Sequence, residues 1–110
     1  MTTVKISGTE YPAAISGKVS DAAWGGRSSK TIRLTMTAAE AAEIFTDDVP
    51  WSIVVDTVTD EDQEAREEYD NSEYCVAGDI TDHRDGTVSV KMGKITAGEL
   101  LAIMTGGAGA

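Results

Sequence analysis

The sequence predicts an α+β fold, an antiparallel sheet of about six strands with two short helices packed on it. Three observations lead there. Short runs alternate apolar and polar residues between turn residues, the mark of half-buried strands. Two segments, Thr37 to Glu40 and Thr96 to Glu99, match the capping box that opens a helix. These blocks also recur in the same order in both halves of the chain.

Val4 and Ile6 begin a first strand, and Tyr11 to Val19 has strand content with Gly17 as a bulge or bend. From Thr31 to Met36 the alternation is clean, with Ile32, Leu34 and Met36 on one face. The Thr37 box then opens a helix from about Ala38 to Phe45, whose Ala38, Ala41, Ala42 and Phe45 share a face; Pro50 bars its continuation. Trp51 to Val58 is β-branched and reads as a strand. An acidic loop is expected over about 59–73. Beyond it, Tyr74 to Thr81 and Thr87 to Met92 read as strands joined by a hairpin loop, Asp82 to Gly86, in which Asp-Gly supplies the turn. The Thr96 box opens a second helix carrying Leu100, Leu101, Ile103 and Met104, and Gly106-Gly107 stops it.

Thr9 to Tyr11, Gly17 to Asp21, Thr31 to Met36 and the Thr37 box return as Ser72 to Tyr74, Gly78 to Asp82, Thr87 to Met92 and the Thr96 box. With Val4 to Ser7 and Trp51 to Val58 as leading strands, the chain reads as two β-β-β-α units, about 4–46 and 51–105. Similar hairpin-plus-helix pieces also arise independently from common physical rules. Two such units suit one domain, 1–105, followed by a flexible tail, 106–110.

The chain has 110 residues, 19 acidic and 9 basic, for a net charge of −10. All of the imbalance lies between Asp56 and Asp85, where twelve acids face two bases; elsewhere seven acids meet seven bases. Such a field opposes direct nucleic-acid binding, which needs a basic surface, and favours a basic partner. No apolar run approaches the length of a membrane span, and the start lacks the regions of a signal peptide, so an intracellular location is expected. The single cysteine, Cys75, excludes an internal disulfide or a cysteine-based zinc cluster.

Charge runs are most often solvated loops. The sharper reading of Asp60, Glu61, Asp62, Glu64, Glu67, Glu68, Asp70 and Glu73 is an electronegative arm that competes with phosphates for a basic groove, with Glu64, Glu67 and Glu68 on one face if the arm is helical. Calcium is disfavoured because the EF-hand spacing and glycine are absent. Trp24 and Arg27 sit in a glycine-containing loop, either as interaction anchors or as a cap on the sheet end. His83 with Asp79, Asp82 and Asp85 fits a hairpin better than a metal or catalytic cluster, and Cys75 fits a small buried hydrophobe. No nucleotide, nucleophile or zinc motif occurs, so no catalysis, cofactor or metal is expected.

Trp24 to Ile32, Trp51 to Val54, Tyr69 to Tyr74 and Gly78 to Gly93 together resemble small proteins of gut-bacterial phages and prophages, and among these the short acidic type II-A anti-CRISPR proteins that inhibit Cas9. The resemblance implies a counter-defence protein acting in the cytoplasm of an infected bacterial host on Cas9 or its guide-RNA complex. It carries no binding residues over, because that group shares no fold or motif. The alternative expectation is a virion component, a tail or head-completion subunit, assembling through sheet edges or the Trp24 loop.

Overall fold

The computed structural model describes residues 2–58, 64–96, 99 and 101. Seven strands form one sheet: β1 (Thr2–Ile6), β2 (Thr9–Asp21), β3 (Arg27–Thr35), β4 (Trp51–Val58), β5 (Glu64–Asp70), β6 (Val76–Asp82) and β7 (Thr87–Gly93). One α-helix, α1 (Ala38–Ile44), and a single 3-10 turn, Ala22–Trp24, complete the described elements. The strand order is β5-β4-β1-β2-β3-β7-β6, and every neighbouring pair is antiparallel.

β2 joins the two halves of this sheet. Thr9 to Pro12 pair with β1, and Ala13 to Asp21 pair with β3. A two-residue turn links β1 to β2, with Ser7 at φ 52° and Gly8 at φ 80°, the left-handed pair that a tight hairpin matching strand twist requires. At the other hairpin Asp82 Oδ1 accepts from Arg84 N at 2.8 Å and Asp85 Oδ1 from Thr87 N at 3.0 Å. Those two bonds are the physical content of the expected Asp82 to Gly86 turn.

The alternating pattern places most apolar residues on one face, as expected, while the buried Val54 stands on the other, between Thr3 and Glu68. Val4 stands opposite Tyr11, and Ile15, Ile32 and Val90 form one rung. With Ile6, Leu34, Trp51, Val88, Met92 and the α1 side they make one buried cluster, which Ala41 and Phe45 close from above. The Thr37 box forms as read, its Oγ1 accepting from Glu40 N at 3.1 Å, and it sets where α1 begins. Trp51 is the largest side chain of the core, 2% exposed, with its indole N–H donating to Tyr74 O at 3.0 Å. Burying that ring while pairing its one polar atom is what lets a tryptophan serve as core.

Two expectations change. The sheet has seven strands rather than about six, because Glu64–Asp70 is a strand and not part of a loop. Glutamate is poor in strands by itself, but here β5 is held by its register on β4, Tyr69 against Ile53 and Glu68 against Val54, so pairing overrides local preference. The strand expected from Tyr74 begins at Val76, since Cys75 O is taken by Asp48 N at 2.8 Å. Of the second helix, the Thr96 box is present, with Thr96 Oγ1 accepting from Glu99 N at 3.2 Å and Glu99 Oε1 from Thr96 N at 2.9 Å. Leu100, Ile103, Met104 and the 106–110 tail lie outside the described residues.

Candidate functional site

β5 is one end of the sheet among the described residues, and it carries Glu67, Glu68 and Asp70, half of the expected binding side chains that the structure describes. Asp60, Glu61 and Asp62 lie outside the described residues, and Glu64 is described only as the start of the strand. A strand alternates its side chains, so the single helical face imagined for Glu64, Glu67 and Glu68 does not exist; Glu67 and Glu68 fall on opposite faces. Glu68 shares its face with Lys5, at 3.3 Å, and Arg66 pairs with Glu10 and lies 3.9 Å from Asp56. On the other face the Tyr69 hydroxyl donates to Glu67, which holds the phenol's pKa above its ordinary value, and the ring is 51% exposed. Asp70 accepts from Ser72 Oγ at 2.5 Å and Ser72 N at 3.0 Å, which lowers its pKa.

These are exposed, screened pairs, worth little each to stability. Their value is in the field. Residues of an antiparallel strand rise about 3.4 Å each. Glu68 and Asp70 therefore stand about 7 Å apart on one face, with Glu67 on the other, so the edge is acidic on both sides.

The one acidic field read from the sequence is divided by the fold. β5 and β6 are consecutive in the chain but occupy the two opposite edges of the sheet. Glu67, Glu68 and Asp70 go to one edge, Asp79 and Asp82 to the other, and Glu73 to the connection between them. Like charge on both edges opposes edge-to-edge pairing of copies.

Trp24 and Arg27 are brought together at the end of the sheet, away from β5. Gly78 and Gly93 make the seat: a Cβ on Gly78 would stand 2.6 Å from Trp24 Cη2 and one on Gly93 2.8 Å from Trp24 Cζ3. Arg27 stacks on the indole at 4.8 Å from its centre, while its Nη1 donates to Lys94 O at 2.9 Å. Beneath them Asp21, only 1% exposed, accepts from Lys91 Nζ at 2.8 Å, Ser29 Oγ at 3.2 Å and Ala23 N at 3.0 Å. The Lys91 bond above all keeps the Asp21 pKa low against the opposing effect of burial. The geometry seats Trp24 on the end of the sheet, the packing that a cap requires.

Sequence reasoning passed over two arrangements. His83 Nε2 lies 2.7 Å from Ser89 Oγ on the open face of the hairpin. Ser89 pairs with Thr81, and His83, two residues further on, reaches it diagonally across the hairpin. Lys30 and Lys94 converge on Tyr74, and Lys30 Nζ donates to the buried Asn71 amide; nothing in the sequence pattern marks residues so far apart. Cys75 is half-buried rather than within a strand, and burial, with Asp48 beside it, pushes its thiol up. Asp79, Asp82 and Asp85 gather around no metal seat, and no group of three or more metal-ligating side chains converges among the described residues.

No family model matches the chain, and no curated protein or solved structure matches it either.

Proposed function

We propose that this chain is a non-enzymatic inhibitor that uses its acidic edge strand to occupy the basic groove of a nucleic-acid-handling protein, in the first place a Cas9-type bacterial defence nuclease with its guide RNA. The observation that carries the reading is the concentration of Glu67, Glu68 and Asp70 on one exposed edge strand, an acidic field that a basic groove can meet. The resemblance to anti-CRISPR proteins supports the choice of nuclease, and the site of action then follows as the infected host's cytoplasm. Assembly into a virion through sheet edges is the weaker reading, since both edges repel a second copy.

The chain also reads as two related β-β-β-α units. In support, the neighbouring pairs map onto one another when β1 exchanges with β4, β3 with β7 and the long β2 with β5 and β6 taken together.

The test is target-DNA cleavage by guide-loaded Cas9 with and without excess protein, with binding measured at two salt concentrations. Inhibition that weakens with salt, and is lost on Glu67→Lys with Glu68→Lys and Asp70→Lys, supports the reading. Unchanged cleavage and no binding across several Cas9 homologues would refute it.

A further inference from the structure

Lys30 and Lys94 bring two ammonium groups onto one aromatic ring. Lys30 stands on β3 opposite Gly17 and Met92, and Lys94 follows β7, its backbone N donating to Ser28 O at 2.9 Å. Their Nζ atoms lie 4.7 and 5.2 Å from the centre of Tyr74. Beside them opens a groove of about 430 Å³ lined by Gly17, Val19, Ser28, Tyr74 and Lys94 among others.

The charges of this pair are poorly answered. Of the seven other basic side chains, Arg27 meets Glu99, Lys91 meets Asp21, Arg33 meets Asp85, Arg66 meets Glu10 and Lys5 meets Glu68, while Lys18, which also lines the groove, and Arg84 are in no ion pair among the described residues. Lys30 instead donates to the neutral amide of Asn71, and no carboxylate lies in ion-pair range of it among the described residues. Lys94 reaches only Glu73, at 3.5 Å, whose side chain is 62% exposed. Burial lowers the Lys30 pKa, Glu73 opposes that and Lys94 adds to it. Glu73 thus marks where an anion rests against this cluster, held by one contact and open to displacement.

We propose that the lysine cluster on Tyr74, beside this groove, binds a phosphomonoester, its phosphoryl group taking the place of the Glu73 carboxylate on Lys94 within reach of the Lys30 charge. A monoester carries nearly two charges at neutral pH and three acceptor oxygens, so it can serve two ammonium groups where a carboxylate serves one. Lysine suits it as a point charge that needs no planar fork. A phosphodiester backbone is disfavoured, because two ammonium groups answer few of its charges and the net charge of −10 repels a polyanion. The site is independent of the inhibitor reading.

Titration of the full chain with glycerol 3-phosphate, against glycerol and against chloride at matched ionic strength, tests it by calorimetry and amide NMR. Saturable binding is expected, with shifts at Ser28, Tyr74 and Lys94. Lys94→Gln should weaken it by about tenfold, the loss of one charge-assisted bond. Glu73→Gln should strengthen it several-fold where Glu68→Gln, on β5, does not, which separates a displaced carboxylate from a general change of charge. Non-saturable shifts, or equal effects of the two glutamine variants, would overturn the site. A thymidine oligonucleotide that binds equally with and without a 5′-phosphate would overturn the monoester assignment.

Discussion

The guanidinium of Arg27 grips the carboxylate of Glu99 at two points, Nη1 to Oε1 at 2.9 Å and Nη2 to Oε2 at 3.0 Å. The two residues are 72 positions apart, and through this fork the loop that holds Trp24 is tied to the capping box after β7. Planar two-point pairs of this kind fix geometry as well as charge. The grip, with the Thr96 bonds, lowers the Glu99 pKa from 4.5 to about 2.

That lowering sets a pH dependence. A carboxylate whose folded pKa is depressed contributes stability that is present above its unfolded value and lost as pH falls through the folded one. For Glu99 the loss runs from about 4.5 down to about 2, and Asp21, Asp70 and Asp85 act in the same direction. Thermal unfolding followed by circular dichroism should show the melting temperature of Glu99→Gln falling less steeply over that range than wild type. Equal slopes would mean the pair does not form in solution.

Gly78→Ala should destabilise by about 1–3 kcal/mol, the usual penalty for forcing atoms into a filled space. Its Cβ meets Trp24 at 2.6 Å and Lys91 O at 3.0 Å. In a Trp24→Ala background the penalty should shrink, because only the backbone oxygen still crowds it. A denaturant-unfolding double-mutant cycle measures the difference, and additive costs would show that the ring does not sit on this glycine.

Trp51→Ala should cost about 3–5 kcal/mol, the range for an aromatic removed from a core, whereas Trp51→Phe should lose less by filling most of the space while leaving Tyr74 O without its donor. Urea unfolding followed by far-ultraviolet circular dichroism checks both. A cost below about 1 kcal/mol for the alanine variant would contradict the placement of this ring in the core.

Glu67→Lys combined with Glu68→Lys should leave stability within about 1 kcal/mol of wild type, since the ion pair it removes among the described residues, Lys5 with Glu68, is exposed. Its effect belongs to association. The rate of binding to a basic partner should fall, and the dependence of that rate on salt should flatten. Stopped-flow mixing at two ionic strengths reads both, and an unchanged salt dependence would remove β5 from the encounter surface.

Much of the fold was legible because its causes are local. Alternation at Ile32 and Leu34, the Thr37 and Thr96 boxes and the Asp82 to Gly86 turn each depend on neighbours within a few residues. Glu64–Asp70 was not legible as a strand, because what makes it one is the surface of β4 and not its own composition. The same holds for the site. That acids dominate the stretch from Asp56 to Asp85 is a fact of the sequence; that they part to opposite edges is a fact of strand order.

By itself, then, the sequence determined that this is an antiparallel sheet with a capped helix, strongly acidic in its second half, since hydrogen-bonding turns and side-chain periodicity act over short range. Only the tertiary structure decided that Trp24 rests on Gly78 and Gly93, that Arg27 holds Glu99, and that Lys30 and Lys94 share Tyr74. Each of those relations joins residues far apart in the chain, and it exists because the register of the sheet sets their distances.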